Sequence, residues 1–169
     1  LSFIAIFVSI RTAKHQKKVY LFDKRFKIYS YFNTCYEACK NVEETLKLIK
    51  SKNVIAGLAI NPKTPALKIK DLLESGLVDI VTVMSVKPGA YGQKFIPGSA
   101  EKVAEIREMD KKIYIEIDGG VTTKNAPILR KLGVNIIVSG STIFESKNMK
   151  RTIRQLKGKG TISNLIKSL

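Results

Sequence analysis

The sequence predicts an α/β fold of parallel strands, each followed by a helix. Three observations carry that prediction. From Asn41 onward, short apolar runs alternate with stretches of helical length and pattern. The runs are apolar at consecutive positions, as strands covered on both faces must be. Three of them end in glycine turns: Pro88-Gly89-Ala90-Tyr91-Gly92-Gln93, Asp118-Gly119-Gly120 and Gly140-Ser141. A doubly wound sheet and a barrel both fit the alternation, and glycine turns at strand C-termini favour a barrel with a phosphate site.

The elements follow in order. Asn41 caps a helix with Glu43 and Glu44 in its first turn and Leu46 and Ile49 facing inward. Val54 to Ile60 reads as a strand closed by Asn61-Pro62. Ala66 to Glu74 reads as a helix with Gly76 just past its end. Asp79 to Val86 is a continuous apolar strand broken by Pro88-Gly89, and Ser99 to Met109 is a helix with Val103 and Ile106 on one face. Ile113 to Ile117 is a strand that delivers Asp118 at its mouth. Thr122 caps a helix running to Leu132 and stopping at Gly133; Pro127 is tolerable there only near the first turn. Val134 to Ser139 is a strand, Lys147 to Leu156 a helix, and Ile162 to Leu169 a last short helix. The strand–helix pair thus repeats four times, which implies right-handed crossovers.

Composition bounds the function. The 169 residues, 44% of them hydrophobic, suffice for one domain with a sizeable core. The net charge of +16 admits nucleic acid, an anionic membrane surface or an anionic substrate. The lysines are spread along the chain without an aromatic-plus-arginine motif, so no nucleic-acid partner is expected. Cys35 and Cys39 share one helical face or a strand-to-helix turn; without partner ligands they are a poor zinc signal and read as reduced thiols. His15 is the single histidine, so no site of several histidines forms within this chain.

The first residue is Leu1, which places a start upstream or a processing event. Leu1 to Ile10 is almost wholly apolar and Arg11 to Lys18 is basic. Three readings compete: the tail of a membrane anchor, the end of a signal-like segment, and a buried strand. Location is expected to be cytoplasmic, with membrane association through the N-terminus as the open alternative. The run Lys24 to Tyr29 reads as a solvated helix face, or as a basic linker after an anchor.

Each candidate site residue has a plainer reading. At a strand end Asp118 could be a helix cap or an ion-pair partner. Pro88 to Gln93 could be an ordinary loop and Gly140-Ser141 an ordinary turn. The three turns in register favour the functional reading, in which glycine lets backbone N–H groups approach a ligand closely.

Several pieces together resemble the ribulose-phosphate 3-epimerase family. They are Tyr36-Glu37-Ala38, Gly57-Leu58-Ala59-Ile60-Asn61-Pro62, Val83-Met84-Ser85-Val86-Lys87-Pro88-Gly89, Gly92-Gln93-Lys94-Phe95, Glu116-Ile117-Asp118-Gly119-Gly120-Val121 and Val138-Ser139-Gly140-Ser141, in the family's order and spacing. The resemblance covers about Tyr36 to Phe144. It implies a (β/α)8 barrel, here N-terminally incomplete, of which the chain supplies about the last four or five βα units. It divides the chain into an unmatched basic segment, 1–34, and a partial barrel domain, 35–169.

The resemblance further implies interconversion of ribulose 5-phosphate and xylulose 5-phosphate by two-base proton transfer. Asp118 matches one of the family's two proton-transfer aspartates, which also bind a divalent metal (zinc, manganese or iron). Gly89, Ala90, Tyr91, Gly92, Gly119, Gly120, Gly140 and Ser141 match the turns that hold the substrate and its phosphate. The family's other aspartate, its two metal histidines and an early serine have no counterpart here, and Cys35 stands where the family favours histidine. Two alternatives accompany the epimerase reading: a non-catalytic phosphate-binding remnant, membrane-tethered or not, and an epimerase of a six-carbon sugar phosphate. A homo-oligomer is the expected protein partner, if any.

Overall fold

The computed structural model describes residues 3–5, 10–11, 15–19, 30–89 and 92–158. Their strands are β1 (Phe3–Ala5), β2 (Ile10–Arg11), β3 (His15–Val19), β4 (Ser30–Cys35), β5 (Ile55–Ile60), β6 (Ile80–Met84), β7 (Tyr114–Asp118) and β8 (Ile136–Val138). All lie in one sheet of order β1-β8-β7-β6-β5-β4-β3-β2. β4 to β8 are parallel neighbours in sequence order, and β1 pairs parallel with β8. β3 runs antiparallel between β4 and β2.

The helices are α1 (Val42–Lys50), α2 (Lys70–Glu74), α3 (Gly98–Met109), α4 (Ala126–Lys131), α5 (Ser141–Phe144) and α6 (Met149–Lys157). Asn41 caps α1 as expected, its Oδ1 accepting from Glu44 N at 3.2 Å. The segment after Pro65 enters as a 3-10 turn (Ala66–Ile69) before α2, so the expected helix is split. α4 starts later than expected. Thr122 and Asn125 bond to each other (Thr122 N to Asn125 Oδ1, 2.7 Å; Asn125 N to Thr122 Oγ1, 3.4 Å), and this turn delays the helix until Ala126. Pro127 then falls in its first turn, where no N–H is required.

The strands alternate strictly between two faces. Leu58, Ile60, Val81, Val83, Ile115, Ile117 and Ile137 point to the helix side and pack with Leu46, Ile49, Val103, Ile106 and Leu129. Each such side chain contributes on the order of 2 kcal/mol by leaving water. The opposite face is layered. Ile55, Ile80, Tyr114 and Ile136 form an apolar floor. Above it lies a buried polar layer, where Asn33 Nδ2 donates to Thr82 Oγ1 (2.9 Å) and Thr82 Oγ1 to Glu116 Oε1 (3.2 Å). One strand repeat higher, Met84 and Asp118 reach the C-terminal edge. At the other end of the sheet, Asp79 accepts from Ala56 N (2.8 Å) and Lys50 Nζ (2.7 Å), tying α1 to β5 and β6.

Residues 3–5 form a strand, with Phe3 opposite Ile136. The run Lys24 to Tyr29 and the helix expected over Ile162 to Leu169 lie outside the described residues. Among the described residues no helix is long and apolar enough to cross a membrane.

Candidate active site

Adjacent parallel strands end on the same edge, so β6, β7 and β8 present their C-termini side by side. Met84, Asp118 and Val138 are in register there. Asp118 is the last residue of β7, Gly89 follows β6, and Gly140 follows β8. The structure therefore brings Gly89, Asp118, Gly119, Gly120, Gly140 and Ser141 to one rim. Ala90 and Tyr91 lie outside the described residues.

The three turns are bonded to one another. Ser85, fully buried just past β6, donates its N–H to Asp118 O (2.8 Å) and its hydroxyl to Asp118 O (2.9 Å) and Gly119 O (2.6 Å). Its carbonyl accepts from Ile96 N (2.8 Å), where the loop returns toward α3. Asn125 Nδ2 donates to Gly120 O (3.2 Å). Ser139 and Thr142 both donate their hydroxyls to Val121 O (3.0 and 2.8 Å), fastening the β7 turn to the β8 turn. Gln93 Nε2 donates to Lys87 O (2.6 Å), closing the base of the β6 loop.

At the β7 turn the chain itself also requires glycine. A Cβ on Gly119 would sit 2.5 Å from Val86 Cγ2, and one on Gly120 would sit 2.4 Å from Phe95 N. The close neighbour at each is the chain itself: the β6 loop is packed down on the β7 turn. Both residues also have positive φ (120° and 59°), which favours glycine on its own account. Gly89 and Gly92 have positive φ (119° and 72°) with open space around them, so there the requirement is conformational.

A second cluster on the same rim went unread in the sequence, although Glu37 and Asn61 sit in motifs that drew attention. Glu37 Oε1 accepts from Asn61 N (2.9 Å) and from the Thr64 hydroxyl, and Glu37 Oε2 accepts from Cys35 Sγ (3.1 Å). From α3 the buried ammonium of Lys102 donates to Asn61 O (2.8 Å) and Pro62 O (2.9 Å). The turn after β5 is thus gripped through its N–H by a carboxylate and through its carbonyls by an ammonium. Partial burial and the neighbouring Glu37 carboxylate push the Cys35 thiol up, keeping it protonated. Burial opposes the charge on Glu37, but its bonds from Thr64, Asn61 and Cys35 prevail and hold the carboxyl below its ordinary value.

A depressed carboxyl stabilises the fold only while it is ionised. Its contribution is present above the unfolded value of 4.5 and is lost as pH falls through the lower folded value. Urea unfolding of the wild type and Glu37→Gln should therefore differ at pH 7, and the difference should shrink as pH falls below 4.5 and through the folded value. A difference independent of pH across that range would show that ionised Glu37 does not grip the turn.

A divalent metal needs several donors converging on one point. Among the described residues no group of three or more His, Cys, Asp or Glu side chains could hold one. Glu37 is engaged by three donors, and the Cys35 thiol is one of them. The described rim therefore does not fit a metal by itself.

The chain is similar in sequence to ribulose-phosphate 3-epimerase of Bacillus subtilis, 36% identical over 127 residues, covering 72% of this chain and 58% of that protein. It is 43% identical to the Helicobacter pylori protein of the same name over 122 residues, covering 70% of this chain and 55% of that one. The chain thus spans about half the length of the curated relatives it matches. In fold it is similar to 3-hexulose-6-phosphate synthase from Salmonella typhimurium, with a TM-score of 0.58 at 17% identity, covering 75% of this chain and 59% of the other. That likeness shows the fold alone: consecutive βα units of a (β/α)8 barrel, as the glycine turns favoured and the resemblance implied. The model of the ribulose-phosphate 3 epimerase family matches residues 14–144, starting upstream of the Tyr36 at which the motif resemblance began. Because that match runs through β4 to β8 and the three bonded turns at their C-terminal ends, the chain belongs to the ribulose-phosphate 3-epimerase family.

Proposed function

We propose that this chain carries the phosphate-holding side, and one proton-transfer acid, of a site that epimerises ribulose 5-phosphate to xylulose 5-phosphate. The observation that carries the reading is the bonding of the β6, β7 and β8 turns into one rim around Asp118. Inversion beside a carbonyl removes a proton from one face of a carbon and returns one to the other. Asp118 moves the proton on one face. Backbone N–H groups of Gly119, Gly120, Gly140 and Ser141, with the Ser141 hydroxyl, hold the phosphate. Gly89 and Gly92 form its outer wall. A zinc, manganese or iron ion would require ligands beyond Asp118.

Titration of the labelled chain with ribulose 5-phosphate, followed by amide chemical shifts, tests this reading. The amides of Gly119, Gly120, Gly140 and Ser141 should move first and saturate. Small uniform shifts over the many lysine amides would mean only charge attraction and would defeat the proposal. A six-carbon ketose phosphate run in parallel decides the substrate length: tighter binding of that compound would favour the hexose reading. The lack of a metal-capable group among the described residues favours a second reading of the chain alone, in which it binds the sugar phosphate without turning it over.

A further inference from the structure

Within the proposed reading of the rim, on which this inference rests, one residue joins the β6 loop to the acid and to the glycine turn after β7. Ser85 follows the last residue of β6 and is fully buried. It bonds to Asp118, to Gly119 and to the returning arm of the β6 loop. Its N–H and its hydroxyl both reach Asp118 O, at 2.8 and 2.9 Å. The hydroxyl also reaches Gly119 O at 2.6 Å. Its carbonyl receives Ile96 N at 2.8 Å, and Ile96 adjoins Phe95, the residue whose backbone fills the space beside Gly120. We infer that Ser85 is a positioning residue: its hydroxyl fixes the peptide plane between Asp118 and Gly119, and so sets both the acid and the amides that follow it.

The physical case rests on what the backbone alone would leave loose. Asp118 is the last strand residue, and beyond it the ladder that holds β7 to β6 has ended. Gly119 and Gly120 have no side chains to lock their conformation, and both lie at positive φ. A Gly–Gly turn at the end of a strand is among the freest segments a chain can contain. The hydroxyl of Ser85 carries one hydrogen and shares it between two successive carbonyls, Asp118 O and Gly119 O. These carbonyls belong to successive peptide planes, Asp118–Gly119 and Gly119–Gly120, so one grip sets both planes about the Gly119 Cα. The next peptide is gripped by Asn125, through Gly120 O. Ser85 is needed because it acts where the direction of the Asp118 side chain is set. It makes no contact of its own with a ligand; it acts through Asp118 and the Gly119-Gly120 amides.

The same geometry couples the β6 loop to the acid. Ser85 is at once the first residue of the loop that leads to Gly89 and the acceptor for Ile96, where that loop returns. A loop rearrangement that pulls on Ile96 pulls on Ser85, and through it on Asp118.

The test uses the labelled 169-residue chain, Ser85→Ala and Ser85→Thr, with inorganic phosphate as the probe. Ser85→Ala keeps the N–H bond to Asp118 O and removes only the hydroxyl. Without ligand, Ser85→Ala should displace the carbonyl shifts of Asp118 and Gly119. It should also speed amide exchange at residue 85, whose N–H shares the Asp118 O acceptor, and at Ile96, about tenfold, the scale of one lost hydrogen bond. Amides of Tyr114 to Glu116 should stay in place. Ser85→Thr, which retains the hydroxyl, should restore the wild-type pattern. Phosphate should bind Ser85→Ala about tenfold more weakly than wild type, and Ser85→Thr nearly as well as wild type.

Unchanged carbonyl shifts and exchange in Ser85→Ala would overturn the positioning role, whatever phosphate does. Displaced shifts with unchanged phosphate affinity would overturn it as well, since the peptide would then move without consequence for the ligand. A wild type whose rim ignores phosphate would defeat the reading of the rim instead, while the exchange data still decide what Ser85 does. Should Ser85→Thr fail to accommodate its extra methyl, the Ser85→Ala measurements decide the question alone.

Discussion

A coupled assay on the purified chain, with zinc, manganese or iron(II) added, is expected to give ribulose 5-phosphate epimerisation about 10⁴-fold or more below that of a complete relative such as the Bacillus subtilis protein. Two deficits among the described residues set this figure. A second proton-transfer acid on the opposite face of the substrate contributes about 10²–10⁴. Stabilisation of the developing oxyanion contributes about 10²–10³ more. Asp118 supplies neither of these missing parts. Glu116 cannot be the second acid, because it lies on the same strand and the same face as Asp118, one repeat below it, in the buried polar layer. Glu37 is on the rim, but its carboxylate is committed to Asn61, Thr64 and Cys35. Asp118→Asn should lower the residual rate further, since Asp118 moves the proton on one face. A rate near that of a complete enzyme, abolished by Asp118→Asn, would show that this chain holds the second acid and the charge stabilisation within itself.

Replacing Gly120 by alanine should be the most damaging single methyl in the rim. The residue has φ of 59°, and its Cβ would fall 2.4 Å from Phe95 N, 2.8 Å from Gln93 O and 2.9 Å from Phe95 Cα. These are backbone atoms, held by the Ile96-to-Ser85 hydrogen bond, and they cannot swing aside as a side chain does. Left-handed strain of about 1 kcal/mol adds to overpacking of about 1–3 kcal/mol, so a loss of about 3 kcal/mol is expected. Gly76 supplies the control. Its φ is 68°, yet nothing lies within 4 Å of its would-be Cβ, and Gly76→Ala should cost only about 1 kcal/mol. Urea unfolding of the two variants separates strain from crowding. Equal losses would mean that the β6 loop is not packed on the β7 turn.

Much of this arrangement was legible in the sequence because it is encoded locally. Consecutive apolar residues made β5 to β8 readable, and Asn61-Pro62, Pro88-Gly89, Asp118-Gly119 and Gly140-Ser141 marked where each one stops. Strand ends moved by one or two residues, as at Asp79 and Val86, because ladder pairing rather than apolarity decides them. β3 escaped notice: His15-Gln16-Lys17-Lys18-Val19 has a single apolar residue, and its strand conformation comes from pairing with β4. The late start of α4 depends on a side-chain exchange between Thr122 and Asn125 that no propensity announces.

The site divides in the same way. Asp118 and the glycine turns stand out because a short motif creates them. What fills the space beside Gly119 and Gly120 is a loop more than twenty residues upstream in sequence, so ligand approach and self-packing cannot be told apart without the fold. The grip of Glu37 and Lys102 on the Asn61 turn joins residues 24 and 41 positions away from Asn61. Ser85 is an ordinary serine in the sequence and acquires its role from a strand 33 positions later.

The central claim is that the rim formed by the β6, β7 and β8 turns holds a sugar phosphate beside Asp118. A crystal structure of the chain grown with ribulose 5-phosphate measures this most directly. The account predicts the phosphate within hydrogen-bond distance of the backbone N–H groups of Gly120 and Ser141, with the sugar chain running toward the Asp118 carboxyl. Phosphate bound instead to lysines on the outer helices, with the rim unchanged, would contradict it.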